Sequence, residues 1–381
     1  MKRIIPIIFI IFIIITIVKI SIKKDEKKPN EFRGVFISYI EISNYLQDRE
    51  EKEVKEKIKE MISNIKEMNL NTIILQVRPS NDAIYKSNIF PVSKYLSSSN
   101  EYKYDVLDVF IKEAHKNNIK LYAWINPYRI NTLSNTSEIN EDNPAFKYLN
   151  TDTIYINDGI YYNPSKDHVT NLIIEGVKEV LNYKVDGVIF DDYFYPSDDI
   201  DINDYEKTNK ELSLEEYHLS IINNMVEKVH DECKKKSIPF GISPEGNIDN
   251  NYHKNYADIK TWLSSDKYVD FIMPQIYYGF NNSTKPFINT VKEWNSLIKN
   301  KKIKLYIALA VYKIGKEDEY SGSGKEEWKE NNNIIMKEII YSRNINNYNG
   351  FSLYRYDNIF NKETYQKTSV KEINNIKSLL K

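Results

Sequence analysis

The sequence predicts a (β/α)8 TIM barrel preceded by an N-terminal membrane anchor or signal segment. Apolar strand-like runs alternate with amphipathic helical runs as far as the C-terminus, which indicates a parallel sheet. The strand-like runs number eight, as a closed barrel of this kind requires. The 381 residues also suffice for such a barrel with insertions. A doubly wound open sheet is the alternative fold, but no glycine-rich phosphate loop follows any of the runs.

The N-terminal segment has the pattern of an export signal or a membrane anchor. Lys2 and Arg3 precede an apolar run from Ile4 to Val18. If Lys19 snorkels, the apolar segment extends to about 19 residues, which nearly span a bilayer. No small-residue cleavage site follows, so we favour an uncleaved anchor in the cell membrane with the barrel outside the cytoplasm. Cleavage of the segment would make the protein secreted.

The expected domain organisation is a signal or transmembrane anchor at 1–24, a polar linker at 25–30 and a barrel domain at 31–381. The predicted strands run from Phe32 to Tyr39, Thr72 to Val77, Lys120 to Asn126, Gly187 to Asp191, Phe240 to Ser243, Phe271 to Ile276, Lys304 to Val311 and Gly350 to Tyr354. The predicted helices run from Glu51 to Met68, Asp105 to Asn117, Asp167 to Asn182, Ser213 to Lys236, Tyr256 to Ser264, Pro286 to Asn300 and Glu326 to Arg343. The segment from Ile130 to Ser165 is too long for a simple loop, and we expect it to lie over one mouth of the barrel.

Composition restricts the partners. Lys and Arg total 53 and Asp and Glu total 54, so the net charge of -1 does not support nucleic acid as a partner. The 30 tyrosines suit carbohydrate recognition, although they also suit an ordinary core. Cys233 is the only cysteine and is expected to be a buried thiol, and none of the five histidines falls at a predicted strand end. We therefore predict neither a metal site nor a cofactor, and the sequence does not reveal the oligomeric state.

Two adjacent carboxylates follow the fourth predicted strand. A strand buried on both faces is nearly all apolar, so charge is tolerated where it leaves the core, and Asp191 and Asp192 lie at that exit. Barrels of this kind assemble their chemistry at the C-terminal strand ends. Neighbouring residues of a strand point to opposite faces, so both aspartates can act in one site only if the backbone turns there. Asp191 is the stronger candidate for a catalytic role. The alternative is structural: one Asp caps the next element and the other pairs with an Arg.

The other strand ends carry amide, guanidinium, carboxylate and aromatic groups. Such groups bond hydroxyls and offer ring faces to a sugar, so the set favours a polysaccharide substrate. The substrate-binding candidates are Gln76, Arg78, Asp82, Trp124, Asn126, Tyr128, Tyr193, Gln275, Tyr277 and Arg355. Since polar residues end strands without any site as well, the inference depends on the combined motifs rather than on one position.

Hydrolysis of a glycosidic bond needs two carboxyl groups, one protonated and one ionised. Asp191 and Glu245 are expected to come from adjacent barrel strands, with Asp192 in reserve for either role. A separation of about 5 Å would imply retention of configuration and one of roughly 6.5–9.5 Å inversion.

Several ordered motifs resemble the glycosyl-hydrolase-like family 10 of bacterial proteins. They are Phe32-Arg-Gly-Val-Phe36, Gln76-Val-Arg-Pro79 with Asp82-Ala83, Ala123-Trp-Ile-Asn-Pro-Tyr-Arg129, Asp186-Gly-Val-Ile-Phe-Asp-Asp-Tyr-Phe-Tyr-Pro196, Gly241-Ile-Ser-Pro244 and Pro274-Gln-Ile-Tyr277. The resemblance runs from about Phe32 to Phe360. It implies a β/α barrel, secreted or membrane-attached, with a glycosidase role and an aspartate at the position of Asp191. One branch of the family cleaves peptidoglycan glycan strands from which the peptides have been removed.

The leading hypothesis is an extracytoplasmic glycoside hydrolase that acts on a bacterial polysaccharide, with peptidoglycan glycan strands as one possible substrate. One alternative is a non-catalytic carbohydrate-binding protein on the same barrel, in which the carboxylates only hold hydroxyls. The other is an anchored scaffold for the cell envelope, whose function would survive replacement of Asp191 by Asn.

Overall fold

Eight parallel strands close into a barrel in the computed structural model, which describes residues 30–381 except 100, 102, 192–193, 209 and 362–366. The strands are β1 (Phe32–Ile37), β2 (Thr72–Arg78), β3 (Lys120–Ile125), β4 (Arg129–Asn131), β5 (Ile154–Ile156), β6 (Ile160–Tyr162), β7 (Gly187–Phe190), β8 (Phe240–Ile242), β9 (Phe271–Ile272), β10 (Lys304–Leu309) and β11 (Tyr348–Leu353). The order around the barrel is β1-β11-β10-β9-β8-β7-β3-β2, so the first and last strands pair. The predicted (β/α)8 barrel is confirmed.

Helices follow the barrel strands and cover the outside of the sheet. Their bounds are Tyr39–Leu46, Glu51–Glu67, Val106–Lys116, Asp167–Leu181, Ile202–Tyr205, Leu214–Lys235, Ile248–His253, Ile259–Trp262, Phe287–Leu297, Glu327–Glu330, Ile334–Arg343, Asp357–Phe360 and Lys367–Leu380. The helix Glu51–Glu67 is typical, since Val54, Ile58 and Ile65 recur at helical spacing and are fully buried. Cys233 is buried, as expected.

The element boundaries differ from the predicted ones where local capping intervenes. The first strand ends at Ile37 because Ser38 and Glu41 form a capping box that starts the helix Tyr39–Leu46. The helix predicted from Glu326 to Arg343 is interrupted by three consecutive asparagines at 331–333, a residue type whose side chain competes with helical hydrogen bonds. The C-terminal helix Lys367–Leu380 has no counterpart among the predicted elements.

The long segment after β3 folds as a small antiparallel sheet of β4, β6 and β5, in that order. Arg129, the first residue of β4, lies in the wall of the barrel cavity described below. None of the described residues in that wall comes from the predicted segment Ile130 to Ser165, so its expected position over the mouth stays a prediction.

Apolar residues form two separate buried clusters. A large cluster lies between the strands and the helices, and a smaller one, which includes Phe32, Ile74, Tyr122, Phe271 and Tyr306, fills the inside of the barrel. The interior is thus a packed core rather than a pore, and polar groups are confined to its ends.

A buried ion pair ties each end of the seam between β1 and β11. Before the two strands, Arg343 Nε and Nη2 donate to the two carboxylate oxygens of Glu31, each at 2.8 Å, and Tyr348 Oη donates to the same carboxylate at 2.7 Å. After the strands, the guanidinium of Arg355 donates to Glu41. Both ends of the seam are therefore tied by an Arg–Glu contact between the beginning and the end of the barrel.

Two carboxyl groups are buried where the C-terminal helix meets the helix Ile334–Arg343. Neither oxygen of Glu338 has a hydrogen-bond partner among the described residues, whereas Glu372 accepts the N–H of Met336 at 3.0 Å. Burial and then the charge of Glu372 raise the pKa of Glu338 well above its ordinary value, and burial raises the pKa of Glu372 to about 7. Lys313 and Lys337 act in the opposite direction. The pair is therefore most stable when protonated.

The predicted anchor at 1–24 lies outside the described residues. Within the described part of the chain, no helix combines the length and apolarity needed to cross a bilayer. The division into anchor, linker and barrel domain stays a prediction.

Replacing Arg343 by Ala should destabilise the protein by about 3–5 kcal/mol, because it leaves the Glu31 carboxylate buried without its cation. Urea unfolding followed by circular dichroism measures the change. Lys57→Ala breaks an exposed pair with Glu60 and serves as the control, with an expected cost below about 1 kcal/mol. Equal costs for the two variants would refute the role assigned to the seam contact.

The free energy of unfolding should fall as the pH rises towards 8. A carboxyl group whose pKa is higher in the folded than in the unfolded state stabilises the folded state, and this contribution is complete at a pH below the unfolded-state pKa. The contribution is lost as the pH rises through the folded-state pKa, which is about 7 for Glu372. Glu338→Gln removes one of the two buried carboxyls and should reduce this loss. Chemical denaturation at a series of pH values tests this, with the exposed Glu330→Gln as the matched control. An unaltered slope in Glu338→Gln would contradict the expectation.

Candidate functional site

The main cavity opens at the C-terminal ends of the barrel strands and has a volume of about 560 Å3. Its lining consists of Phe36, Tyr39, Gln76, Trp124, Arg129, Asp191, Ser243, Gln275, Tyr277, Tyr312, Lys316, Tyr354, Arg355 and Asn358. These residues lie near the C-terminal ends of all eight barrel strands or in the segments that follow them, which is where barrels of this architecture carry their sites.

The carboxylate of Asp191 is held by three side-chain N–H donors. Trp124 Nε1 and Asn126 Nδ2 donate to Oδ2 at 3.1 and 3.0 Å, and Gln275 Nε2 donates to Oδ1 at 3.2 Å. Asp191 is only 8% exposed. Because an ionised carboxylate can only accept hydrogen bonds, three donors suit the charged form of this side chain.

Strand register brings these donors to one place. Trp124 and Ile125 pair with Ile189 and Phe190 in the parallel ladder between β3 and β7, so the next residues, Asn126 and Asp191, leave the two strands side by side. Gln275 reaches the same point from the end of β9.

A second layer of amides fixes the donors. Gln76 Nε2 donates to Asn126 Oδ1 at 2.7 Å, which orients the Asn126 amide with its nitrogen towards Asp191. Gln76 Oε1 in turn accepts the backbone N–H of Tyr39 at 3.0 Å. Gln275 Nε2 also donates to the carbonyl of Ser243 at 3.0 Å. The position of Asp191 is therefore set by several strands rather than by its own loop.

Aromatic rings form much of the cavity wall. The ring of Tyr354 contacts the rings of Phe36, Trp124, Tyr277 and Tyr312, at centroid separations of 5.5, 6.5, 5.9 and 6.0 Å. Burial, and then the charge of Asp191, raise the pKa of Tyr354, so its hydroxyl stays protonated beside the carboxylate. Rings and hydroxyls of this kind suit the C–H faces and hydroxyls of a sugar.

Arg355 places a cation in the wall of the main cavity. Burial by itself would lower the pKa of Arg355, but the contact with Glu41 outweighs burial and the pKa lies above its ordinary value. Asp357 Oδ2 accepts a longer bond from the same nitrogen at 3.4 Å. The guanidinium is therefore charged and held in place by the capped helix that follows β1.

Four of the predicted substrate-binding residues that the structure describes do not line the main cavity: Arg78, Asp82, Tyr128 and Asn126, the last of which is buried and bonds Asp191. Arg78 is 1% exposed, and its guanidinium lies 3.7 Å from the ring centroid of Phe90, with Nε and Nη1 lacking a hydrogen-bond partner in the described part of the chain. Tyr128 is also buried, and burial raises its pKa. Asp82 lies in a separate pocket, where burial raises its pKa and Ser93 Oγ donates to its Oδ2 at 3.0 Å.

Glu245 lies beside the main cavity without lining it. Asn250 Nδ2 donates to its Oε1 at 2.8 Å, and the residue is half-buried. Burial and then the Glu245 charge raise the pKa of Tyr278 to about 12. The Glu245 carboxylate is therefore close to Tyr278 as well as to Asn250.

Two further candidates, Asp192 and Tyr193, lie outside the described residues. Among the residues that the structure describes, Asp191 contributes the only carboxylate to the cavity lining. Those residues also contain no cluster of three or more His, Cys, Asp and Glu side chains suited to a metal ion.

Several lining residues were not among the predicted site residues: Phe36, Tyr39, Arg129, Ser243, Tyr312, Lys316, Tyr354 and Asn358. Arg129, Ser243 and Tyr354 belong to strand-end motifs and could have been found from that position alone. Lys316 and Asn358 lie in loops without a recognisable pattern, so only the folded chain brings them to the cavity.

Comparison with known proteins agrees with the fold. Residues 31–323 match the family described as Glycosyl hydrolase-like 10. Glycosyl hydrolase YngK of Bacillus subtilis (strain 168) is 29% identical over 343 residues, which cover 82% of this chain and 67% of that protein. Glycosyl hydrolase DigH of Escherichia coli (strain K12) is 29% identical over 342 residues, which cover 81% of this chain and 77% of that protein.

Solved structures of glycoside hydrolases share the architecture. The PgaB (BpsB) glycoside hydrolase domain from Bordetella bronchiseptica superposes with a TM-score of 0.55 at 13% identity, covering 88% of this chain and 96% of that domain. The endo-1,4-beta-mannanase from Rhizomucor miehei gives a TM-score of 0.56 at 11% identity, covering 94% of this chain and 96% of that enzyme. At these identities the likeness concerns the fold alone.

Proposed function

The chain belongs to the glycosyl hydrolase-like 10 family, and on this basis we propose that it hydrolyses O-glycosidic bonds of a bacterial polysaccharide. The observation that carries the proposal is the Asp191 carboxylate, which three N–H donors hold inside a cavity walled by aromatic rings. A carboxylate held in this way is ready to act on a sugar without rearrangement of its neighbours.

In this proposal Asp191 is the ionised partner of the carboxyl pair. It either attacks the anomeric carbon or takes a proton from the attacking water, and its N–H donors keep the oxygens oriented during that step. Tyr354, Tyr277 and Arg355 are assigned to binding, since their hydroxyls and guanidinium can bond ring hydroxyls around the scissile bond.

The protonated partner is assigned to Asp192, with Glu245 as the alternative. Asp192 is the sequence neighbour of Asp191, which follows the end of β7 at Phe190. Glu245, by contrast, is bonded to Asn250 and does not contribute to the cavity wall. A role for Glu245 would require its side chain to leave Asn250.

We propose peptide-free glycan strands of the cell wall as the substrate. The resemblance of the sequence motifs to a family with a branch of that specificity supports this choice. The cavity adds support, because its amides, hydroxyls and rings suit amino sugars.

An extracytoplasmic location is part of the proposal and is supported by the apolar run from Ile4 to Val18 after two basic residues. Such a location would place the cavity in the same compartment as the cell wall.

Asp191→Asn should lower the turnover of amidase-treated cell-wall glycan by about a hundredfold to ten-thousandfold, because the change keeps the shape and removes the charge. Release of new reducing ends by residues 30–381 measures turnover, and a thermal melt reports folding. The exposed Asp249→Asn is the matched control and should keep wild-type activity. If the wild type binds the glycan but releases no new reducing ends, the hydrolase proposal is replaced by a carbohydrate-binding role. If Asp191→Asn does not fold, Asp191 is a structural residue.

Replacing the acid should remove the alkaline limb of the pH–rate profile, since that limb reports deprotonation of the group that protonates the leaving oxygen. We expect Asp192→Asn to lose the limb and Glu245→Gln to keep it. Initial rates between pH 4 and pH 9 distinguish the two variants. Loss of the limb in Glu245→Gln alone would transfer the role to Glu245.

A further inference from the structure

A second, smaller pocket lies next to the main cavity and includes the predicted substrate-binding residue Asp82. Its volume is about 200 Å3, the space of roughly seven waters at about 30 Å3 each, which is the scale of one sugar ring. We propose that this pocket binds one neutral, hydroxyl-rich sugar ring of the polysaccharide whose scissile bond lies at Asp191. The inference rests on the proposed function and adds a remote subsite to it.

Buried polar atoms without partners line this second pocket. Asp82 is 8% exposed and Ser80 3% exposed, yet neither Asp82 Oδ1 nor Ser80 Oγ has a hydrogen-bond partner in the described part of the chain. Leaving such atoms unpaired is costly, so they favour a ligand that brings its own donors and acceptors. Hydroxyl groups do both.

The charges around the second pocket favour a neutral ligand. Lys94 Nζ donates to Glu138 Oε2 at 2.7 Å and to Asn131 Oδ1 at 2.9 Å, so the ammonium group is already neutralised inside the pocket wall. The Asp82 carboxyl disfavours a phosphate or carboxylate at this place. Asn140, which is exposed, supplies an amide at the rim, as in sites for uncharged polar ligands.

The wall between the two sites is one strand thick. Arg129 of β4 lines the main cavity, whereas Ile130 and Asn131 of the same strand line the second pocket. Arg129 Nη2 donates to the carbonyl of Pro79 at 2.6 Å, and the next residue, Ser80, belongs to the second pocket. One polymer can therefore reach both sites.

Two half-buried tyrosines extend along the same wall. Tyr39 lines the main cavity and its ring lies 4.4 Å from that of Tyr95, centroid to centroid. Tyr95 follows Lys94 of the second pocket and contacts Thr132 Oγ1 through its hydroxyl at 3.2 Å. The pair offers ring faces on which a sugar between the two sites can lie.

A subsite at this distance from Asp191 contributes to the binding of long glycan chains and not of short ones. A chain that fills both sites gains hydrogen bonds at Ser80 and Asp82, whereas an oligosaccharide that fills only the main cavity gains none of them. The pocket thus favours polymeric substrate over its short products.

The test compares long peptide-free cell-wall glycan with a short oligosaccharide purified from its digest. Ser80→Ala removes a buried hydroxyl, and Asn140→Trp obstructs the rim of the pocket. Each variant should lower the ratio of kcat/KM for the long glycan to kcat/KM for the short oligosaccharide about fivefold to tenfold. The change should appear in KM for the long glycan. Ser137→Ala, an exposed serine of the same segment outside the pocket, is the matched control and should keep the wild-type ratio.

Binding measured in an Asp191→Asn background separates this inference from the proposed function. Isothermal titration with the long glycan should show affinity that falls about fivefold to tenfold with Ser80→Ala or Asn140→Trp. If the wild type cuts no glycan but the affinity still depends on these two residues, the hydrolase proposal fails and the pocket stands. If the wild type cuts glycan while ratio and affinity stay unchanged in both variants, or if the glycan does not bind at all, the pocket proposal is overturned.

Discussion

Closure of the barrel between its first and last strands is the constraint on which the rest of the structure depends. β1 must pair with β2 on one side and with β11 on the other, and the second pairing joins residues more than 300 positions apart. The chain approaches itself closely at this seam, since a side chain at Gly350 would collide with the carbonyl oxygen of Phe32. The Glu31–Arg343 and Glu41–Arg355 pairs fix the two ends of the seam. Without closure, the strand ends that bear the cavity would not face one another.

The position of Asp191 illustrates what a closed barrel can do for one charged group. A carboxylate with 8% exposure is costly to bury, and here several strands share its solvation: Trp124 and Asn126 come from β3 and Gln275 from the end of β9. Gln76 from β2 then holds the Asn126 amide. Because these donors are fixed by the sheet itself, the charge meets an environment that does not need to reorganise when a ligand arrives.

The fold could be predicted from the sequence because strand and helix periodicities are local patterns, and the eight strands all appeared near their expected positions. The cavity wall contains Gln76, Trp124, Gln275, Tyr277 and Arg355, which were predicted because they lie at strand ends. Asn126 was predicted to bind substrate for the same reason, but it is buried and holds Asp191 instead. Arg78 and Tyr128 also lie at strand ends, but their side chains are buried in the packing around the barrel. Position at a strand end does not specify the direction in which a side chain points. Loop conformation brings Lys316 and Asn358 to the cavity and allows Ser38 and Glu41 to form their capping box. No periodicity in the sequence encodes such conformations. The catalytic roles of the candidate residues stay predictions.

Arg355 belongs to two parts of the molecule, because it lines the cavity and also holds the upper end of the seam through Glu41. A sugar that bonds its guanidinium therefore adds to the contacts that keep the first and last strands together. Ligands that bind only the folded state raise its stability by an amount that grows with the ratio of ligand concentration to dissociation constant. The melting temperature of the protein can consequently serve as a reporter of glycan recognition, with candidate sugars ranked before any bond cleavage is measured.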